Sequence, residues 1–375
     1  MPTAPNRRVR LLAPALAATS VTLLAGCATG AGASGDGTPT VVATTTQVAD
    51  FAREVGGGAV EVTPLLGAGQ SAHSFDPSAA QLLALGEADA LVVNGAGLES
   101  WLDDAIAASG FDGTLIDAST GIELAATDEH AEDEHADEAH AEDEHADEAH
   151  TEDEHADEAH AEDEHADEAH AEDDHDHDHG HDHGEGNPHI WTDPELAATM
   201  VENIADGLAE LDGVDADVVR DGEAEYLDRL EALDAWIEEN VEQVPVEQRL
   251  LVTNHDAFTY FLDAYDVTFV GSVIPSFDDN AEPSAAEIDA LVERIRETGV
   301  QAVFSEASIS PKAAETIASE AGVTVYSGDD ALYGDSLGQP GSEGETYLGS
   351  QIHNARLILE SWGVEPSALP DVLRG

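Results

Sequence analysis

Asn187-Pro188-His189-Ile190-Trp191-Thr192-Asp193-Pro194 divides two kinds of sequence in a chain of 375 residues. Upstream lies a long run built almost wholly of Asp, Glu, His and Ala. Downstream, apolar residues fall at helical spacing. His189 is the first histidine past the run to sit among apolar neighbours, Ile190 and Trp191. Asp193-Pro194 reads as an N-cap followed by proline at the first helical position. The octapeptide therefore marks where a solvated insert ends and a folded domain resumes, and it carries one imidazole at that edge.

Working upstream, residues 131–170 repeat the ten-residue unit Ala-Glu-Asp-Glu-His-Ala-Asp-Glu-Ala-His, with Thr151 as the one departure, and Asp174 to His183 alternates Asp and His before adding Gly. A stacked solenoid needs apolar positions, and this unit offers only Ala. It cannot bury enough surface to offset its ordering entropy, so residues 127–186 are expected to form a disordered loop. The loop carries fourteen histidines: His130, His135, His140, His145, His150, His155, His160, His165, His170, His175, His177, His179, His181 and His183. Set among carboxylates, they read as a weak, multivalent metal collector that raises the local concentration of the ion beside the folded domain.

Downstream, Leu196, Met200, Ile204 and Leu208 recur every four residues. After a break at Asp212-Gly213, a longer helix is expected over about 216–244, with Tyr226, Leu230, Leu233, Ile237 and Val241 on one face. At about 1.5 Å per residue it would run roughly 40 Å, which makes residues 212–245 a stiff linking helix. Sequence on either side repeats one pattern. In 39–211, strands at Thr40 to Thr46, Val60 to Leu66, Ala90 to Asn94 and Thr114 to Asp117 alternate with helical segments. In 246–375, strands at Arg249 to Thr253, Val267 to Ile274, Ala302 to Ser305 and Val323 to Tyr326 do the same. Ser284 and Glu287 form a capping box for the helix that presents Ile288, Leu291, Val292 and Ile295, and Ser310-Pro311 is expected to cap the next. This alternation predicts an α/β protein of two lobes with mainly parallel sheets.

The N-terminus has a basic patch, Arg7-Arg8-Val9-Arg10, then an apolar stretch from Leu11 to Ala25 that is too short for a secure membrane span. It ends Leu23-Leu24-Ala25-Gly26-Cys27, similar to a bacterial lipobox. Residues 1–27 are therefore expected to be a lipoprotein signal peptide, with Cys27 acylated as the anchor to the cell membrane and 28–38 as a flexible tether. Cys27 is the only cysteine, so the mature chain has no disulfide. The formal net charge is −69, and Lys312 is the single lysine. Nucleic acid is excluded as a partner, because phosphate binding needs Lys/Arg patches; a cation is the ligand this charge suits.

Four histidines lie outside the insert. His73, His189 and His255 each fall past or near a predicted strand end, where open α/β sheets bind ligands. His353 lies inside the final helix beside Asn354 and is assigned to structure. Neutral imidazole is the commonest metal ligand, and three of them leave room for one carboxylate. Two loop acids offer themselves: Asp335 in Tyr333-Gly334-Asp335-Ser336-Leu337, and Glu306 in Phe304-Ser305-Glu306.

Taken in order, His73-Ser-Phe-Asp-Pro-Ser, Asn187-Pro-His-Ile-Trp-Thr-Asp-Pro, His255-Asp-Ala-Phe-Thr-Tyr-Phe, Phe304-Ser-Glu306 and Asp335-Ser-Leu-Gly with Thr346-Tyr-Leu resemble the ZnuA/TroA-like metal-binding lipoproteins of bacterial ABC importers. The motifs cover nearly the whole mature chain. The resemblance implies two α/β lobes joined by a rigid helix, with the metal held between them by His73, His189, His255 and Asp335. That leaves Glu306 to accept a hydrogen bond from a ligand histidine and orient it. It further implies an extracytoplasmic, monomeric protein with an ABC permease and its ATPase as partners. The second motif usually begins with Asp where this chain has Asn187, and the insert is unusually long and acidic. Manganese members tend to use two histidines and two carboxylates; three imidazoles favour Zn²⁺ over Mn²⁺. A closed four-ligand set leaves no position for a reacting water, so no enzymatic activity is expected. The competing readings are a secreted zinc-dependent hydrolase and a metal-buffering adhesin without a transporter.

Overall fold

The computed structural model describes residues 37–125, 186–276 and 281–374. Cys27 and the fourteen insert histidines lie outside the described residues, as do the expected signal peptide and nearly all of the tether.

The first half runs β1 (Thr40–Ala43), α1 (Thr46–Gly56), β2 (Glu61–Pro64), α2 (Ala79–Gly86), β3 (Ala90–Val93), α3 (Leu102–Ser109) and β4 (Thr114–Asp117). The strands form one sheet in the order β2-β1-β3-β4, every pair parallel. Val41, Val42 and Ala43 in β1 and all four residues of β3 are buried. Such unbroken apolar runs are what strands covered on both faces require. β1 stops earlier than the apolar run suggests. Thr45 leaves the ladder to cap α1, its side chain accepting from Val48 N at 3.3 Å; a hydroxyl next to a helix start offers the backbone that alternative.

Past the insert, a 3₁₀ turn over Ile190–Thr192 leads into α4 (Pro194–Ala209). Asp193 caps it, accepting from Glu195 N at 2.8 Å, with Pro194 at the first helical position. Then comes α5 (Ala216–Val241), 26 residues long. Its Val219, Tyr226, Leu230, Leu233, Trp236, Ile237 and Val241 are buried, and it packs on α1 and α4 of the first half.

The second half comprises β5 (Leu250–Thr253), α6 (Thr259–Ala264), β6 (Thr268–Ser272), α7 (Ala285–Thr298), β7 (Ala302–Phe304), α8 (Lys312–Ala321), β8 (Thr324–Tyr326) and α9 (Tyr347–Ser361). β5 pairs with β6 and β7 with β8, both parallel, and β5 lies beside β7. The Ser284/Glu287 capping box is present at the start of α7. The expected cap of α8 is not: Pro311 occupies the N-cap position with no side-chain bond to the helix, since proline leaves no side-chain acceptor there.

The halves share a core. One apolar cluster takes in Val41 and Leu91 from the first sheet, Leu230 and Ile237 from α5, and Phe304 and Ile358 from the second half. A smaller cluster, with Val252, Val270, Leu291 and Val303, fills the far side of the second half. Thus α5, with α9 packed against it, fastens both halves to one interior. Among the described residues no helix is long and apolar enough to cross a membrane.

Candidate metal centre

Three of the residues singled out from the sequence sit beyond carboxyl ends of strands, as open parallel sheets place their ligand-facing loops. His73 lies in the loop after β2, His255 two residues past β5, and Asp335 in the loop after β8. His189 is the exception. It follows the insert, not a strand, and precedes the 3₁₀ turn.

Each is fixed by neighbours. Ala72 O accepts from Trp101 Nε1 at 2.8 Å, which pins the backbone beside His73. Asn94 Nδ2, at the end of β3, donates to Pro188 O at 3.2 Å, just before His189. Thr253 Oγ1 donates to His255 O at 2.7 Å. The Asp335 loop is held from the first half: Gln47 Nε2 and Trp191 Nε1 both donate to Gly334 O at 3.1 Å, and Leu337 N donates to Thr46 Oγ1 at 2.9 Å. Position 334 must be glycine, because a Cβ there would collide with Glu306 Oε2.

These anchors bring four donor atoms together. His189 Nε2 lies 3.1 Å from His73 Nε2, 3.3 Å from His255 Nε2 and 3.0 Å from Asp335 Oδ1. His255 Nε2 is 3.1 Å from the same Oδ1, and His73 Nε2 is 3.9 Å from Asp335 Oδ2. All four ligand atoms lie within 4.8 Å of one another. A tetrahedron with metal–donor bonds of about 2.0–2.1 Å has edges of roughly 3.3 Å, so the spacing suits such an ion. His189, His255 and Asp335 are fully buried and His73 is only partly exposed.

The outer nitrogens explain why the inner ones converge. His189 Nδ1 is 2.7 Å from Asn187 Oδ1, and His255 Nδ1 is 2.7 Å from Glu306 Oε1. Each Nδ1–H donates to its oxygen, so in its neutral form each ring turns the Nε2 lone pair toward the other imidazole and Asp335. Donors crowded in this way favour a positive charge among them, a proton on one ring or a metal ion bound by all four. Asp335 Oδ2 is buried without a hydrogen-bond partner, and a positive charge in the cage would satisfy it.

Burial pulls the His189 pKa down to about 4, with Asp335 partly offsetting it, so that ring stays neutral and ready to coordinate. For His255 burial acts the same way, but the Asp335 and Glu306 carboxylates overcome it and hold the imidazole well above its ordinary value. Burial pushes Asp335 up, yet His255 and His189 hold it well below the usual carboxylate range. Glu306 is raised by burial, with His255 working against the rise.

Glu306 therefore faces the back of His255 and Asp335 faces the cage, a division the two loop acids did not reveal by sequence position. His353 takes no part: its Nδ1 faces Glu343 at 3.3 Å and its Nε2 donates to Ala331 O at 3.0 Å. Asn187 is the residue that sequence reasoning missed. The only signal for it was that an asparagine opens the motif at that position.

Fold and site together define a two-lobed α/β binding protein built around a buried cage of three imidazoles and one carboxylate. The family model ZnuA, "Zinc-uptake complex component A periplasmic", matches residues 41–361. The chain belongs to this family, the extracytoplasmic metal-binding components of ABC transporters, which are solute-binding proteins and not enzymes. It is 28% identical over 358 residues to the manganese-binding lipoprotein MntA of Bacillus subtilis, covering 94% of this chain and 99% of that one. It is 26% identical over 336 residues to the zinc-binding lipoprotein AdcA of Streptococcus pneumoniae, covering 89% and 58%. Among solved structures it resembles the periplasmic zinc-binding protein TroA from Treponema pallidum, with a TM-score of 0.68 at 23% identity, over 87% of this chain and 99% of that one.

Proposed function

We propose that this protein captures Zn²⁺ outside the membrane, in the cage of His73, His189, His255 and Asp335, and delivers it to an ABC permease and its ATPase. The convergence of three imidazole Nε2 atoms and the Asp335 carboxylate within 4.8 Å of one another supports the reading. Its relatives carry the names of both manganese and zinc proteins. The choice of Zn²⁺ therefore rests on donor chemistry: nitrogen-rich, four-coordinate sites suit Zn²⁺, whereas Mn²⁺ prefers more oxygen ligands. Four protein donors fill a tetrahedral shell and leave no place for a reacting water, which weighs against a zinc hydrolase. Glu306 orients His255. Cys27, once acylated, tethers the chain to the membrane, and the monomer suffices because one chain supplies every donor.

The test is metal analysis and chelator-competition titration of the full chain beside His73→Ala, His189→Ala, His255→Ala and Asp335→Ala. Each variant should bind Zn²⁺ far more weakly at its tightest site while its unfolding curve stays that of a folded protein. Wild-type protein that prefers Mn²⁺ over Zn²⁺ in direct competition would reverse the metal assignment. Full affinity in His189→Ala would remove the cage.

A further inference from the structure

Asn187 is 2% exposed and stands where three parts of the molecule meet. Its side-chain nitrogen lies 2.8 Å from Asp256 O and 2.9 Å from Thr259 Oγ1. A carbonyl can only accept. The Thr259 hydroxyl sends its proton to Asp256 Oδ1 at 2.8 Å, so its oxygen accepts as well. The amide nitrogen must therefore face the start of α6, and the amide oxygen must face His189. There Oδ1 accepts from His189 N at 3.1 Å and from His189 Nδ1 at 2.7 Å. The backbone holds the residue from the other side. Asn187 N donates to Ala125 O at 3.0 Å, Tyr260 Oη donates to Asn187 O at 2.6 Å, and the same Tyr260 oxygen accepts from Ala125 N at 3.1 Å.

We propose that Asn187 is a positioning residue that locks His189 in the Nδ1–H tautomer and ties it to the segment carrying His255; this rests on the metal-capture reading above. An acceptor at Nδ1 places the ring proton there and leaves the Nε2 lone pair for the ion. The amide nitrogen, bonded to the carbonyl next to His255, keeps the two imidazoles in register. A carboxylate at 187 can do only half of this: it still accepts from Nδ1–H, but its second oxygen meets Asp256 O, and two acceptors repel. An alanine does neither. Tautomer control of this kind through the partner of the outer imidazole nitrogen is typically worth 10–100-fold in metal affinity.

The experiment uses the full chain with ¹⁵N-labelled histidine. Long-range ¹H–¹⁵N spectra of the metal-free protein report each tautomer, and the resonance lost in His189→Ala identifies His189. Zn²⁺ affinity is read by competition with a chromophoric chelator, which follows only the tightest site. In wild type the His189 signal should be that of the pure Nδ1–H form. Asn187→Ala should mix the tautomers and weaken binding about 10–100-fold at unchanged stoichiometry of the tight site. Asn187→Asp should restore the tautomer and bring affinity to within about tenfold of wild type. The proposal is overturned if Asn187→Ala keeps a pure Nδ1–H signal and wild-type affinity, or if Asn187→Asp behaves as Asn187→Ala does. Should Asn187→Ala not fold, the tautomer and affinity of Asn187→Asp decide alone: a mixed tautomer refutes it. His189→Ala separates the two levels of argument, because unimpaired binding there defeats the cage itself.

Discussion

Glu306→Gln isolates the contribution of the carboxylate behind His255. That imidazole is enclosed between Asp335 Oδ1 at 3.1 Å and Glu306 Oε1 at 2.7 Å. Burial alone disfavours its charged form, but the two carboxylates hold its pKa well above 6.5. In the metal-free protein the two carboxylates therefore hold a proton on His255 more tightly than a free imidazole would. A folded pKa raised in this way contributes stability that is fully present below the unfolded value and lost as pH rises through the folded one. Zn²⁺ cannot take Nε2 until the proton leaves. Binding near pH 7 should release about one proton, and affinity should fall about tenfold for each pH unit below the His255 pKa. Glutamine keeps an acceptor for Nδ1–H and deletes the charge. At an effective dielectric constant of about 20, a unit pair about 4 Å apart is worth roughly 4 kcal/mol, and a divalent ion about 6–7 Å from the same carboxylate roughly 5 kcal/mol. Removing the charge thus weakens the proton's hold almost as much as the ion's. The net loss is about 1 kcal/mol, roughly fivefold to tenfold in affinity at pH 7, while proton release drops toward zero. Calorimetric titration in two buffers of different ionisation enthalpy gives the proton count, and chelator competition gives the affinity. Wild-type binding with no proton release at pH 7 would refute the reasoning, as would a loss beyond about a hundredfold in a folded Glu306→Gln protein.

Other expectations are open to direct measurement. Glu99 is buried at the end of the first sheet, accepting from Thr44 Oγ1, Asn94 N and Gly95 N, and burial pushes its pKa from 4.5 up to about 7. Its contribution to stability is present below the unfolded value and lost as pH rises through about 7, a loss on the order of 3 kcal/mol. Denaturant unfolding of the metal-free protein at pH 5 and pH 8 should show this slope, and Glu99→Gln should flatten it. Deleting residues 128–185 should leave the affinity of the tight site unchanged, lower the total zinc bound and weaken growth when zinc is scarce. An unchanged total stoichiometry would count against the collector role of the insert.

Local features of the chain were legible because local forces set them. The heptad-like stripe from Tyr226 to Val241 marks α5, since a 3.6-residue period admits one buried face. Asp193-Pro194 and the Ser284/Glu287 box mark helix starts, since orphan backbone N–H groups there need an acceptor. Ser310-Pro311 misled for a related reason: a cap signature is a short pattern, and which residue takes the N-cap position depends on how the preceding loop enters the helix. The candidate ligands could be named by residue type and by their place near strand ends. What each does was implied by the family resemblance and not by spacing or position. Glu306 and Asp335 are both acids in loops after strands of the second half, and only the packed lobes set one behind His255 and the other in front of it. Asn187 carries no catalytic or ligand chemistry of its own; its importance comes from what lies on either side of its amide. Composition and periodicity act over a few turns of chain and so record the elements and the charge, whereas a cage joining residues from 73 to 335 exists only where the shared core holds distant loops within a bond length or two of each other.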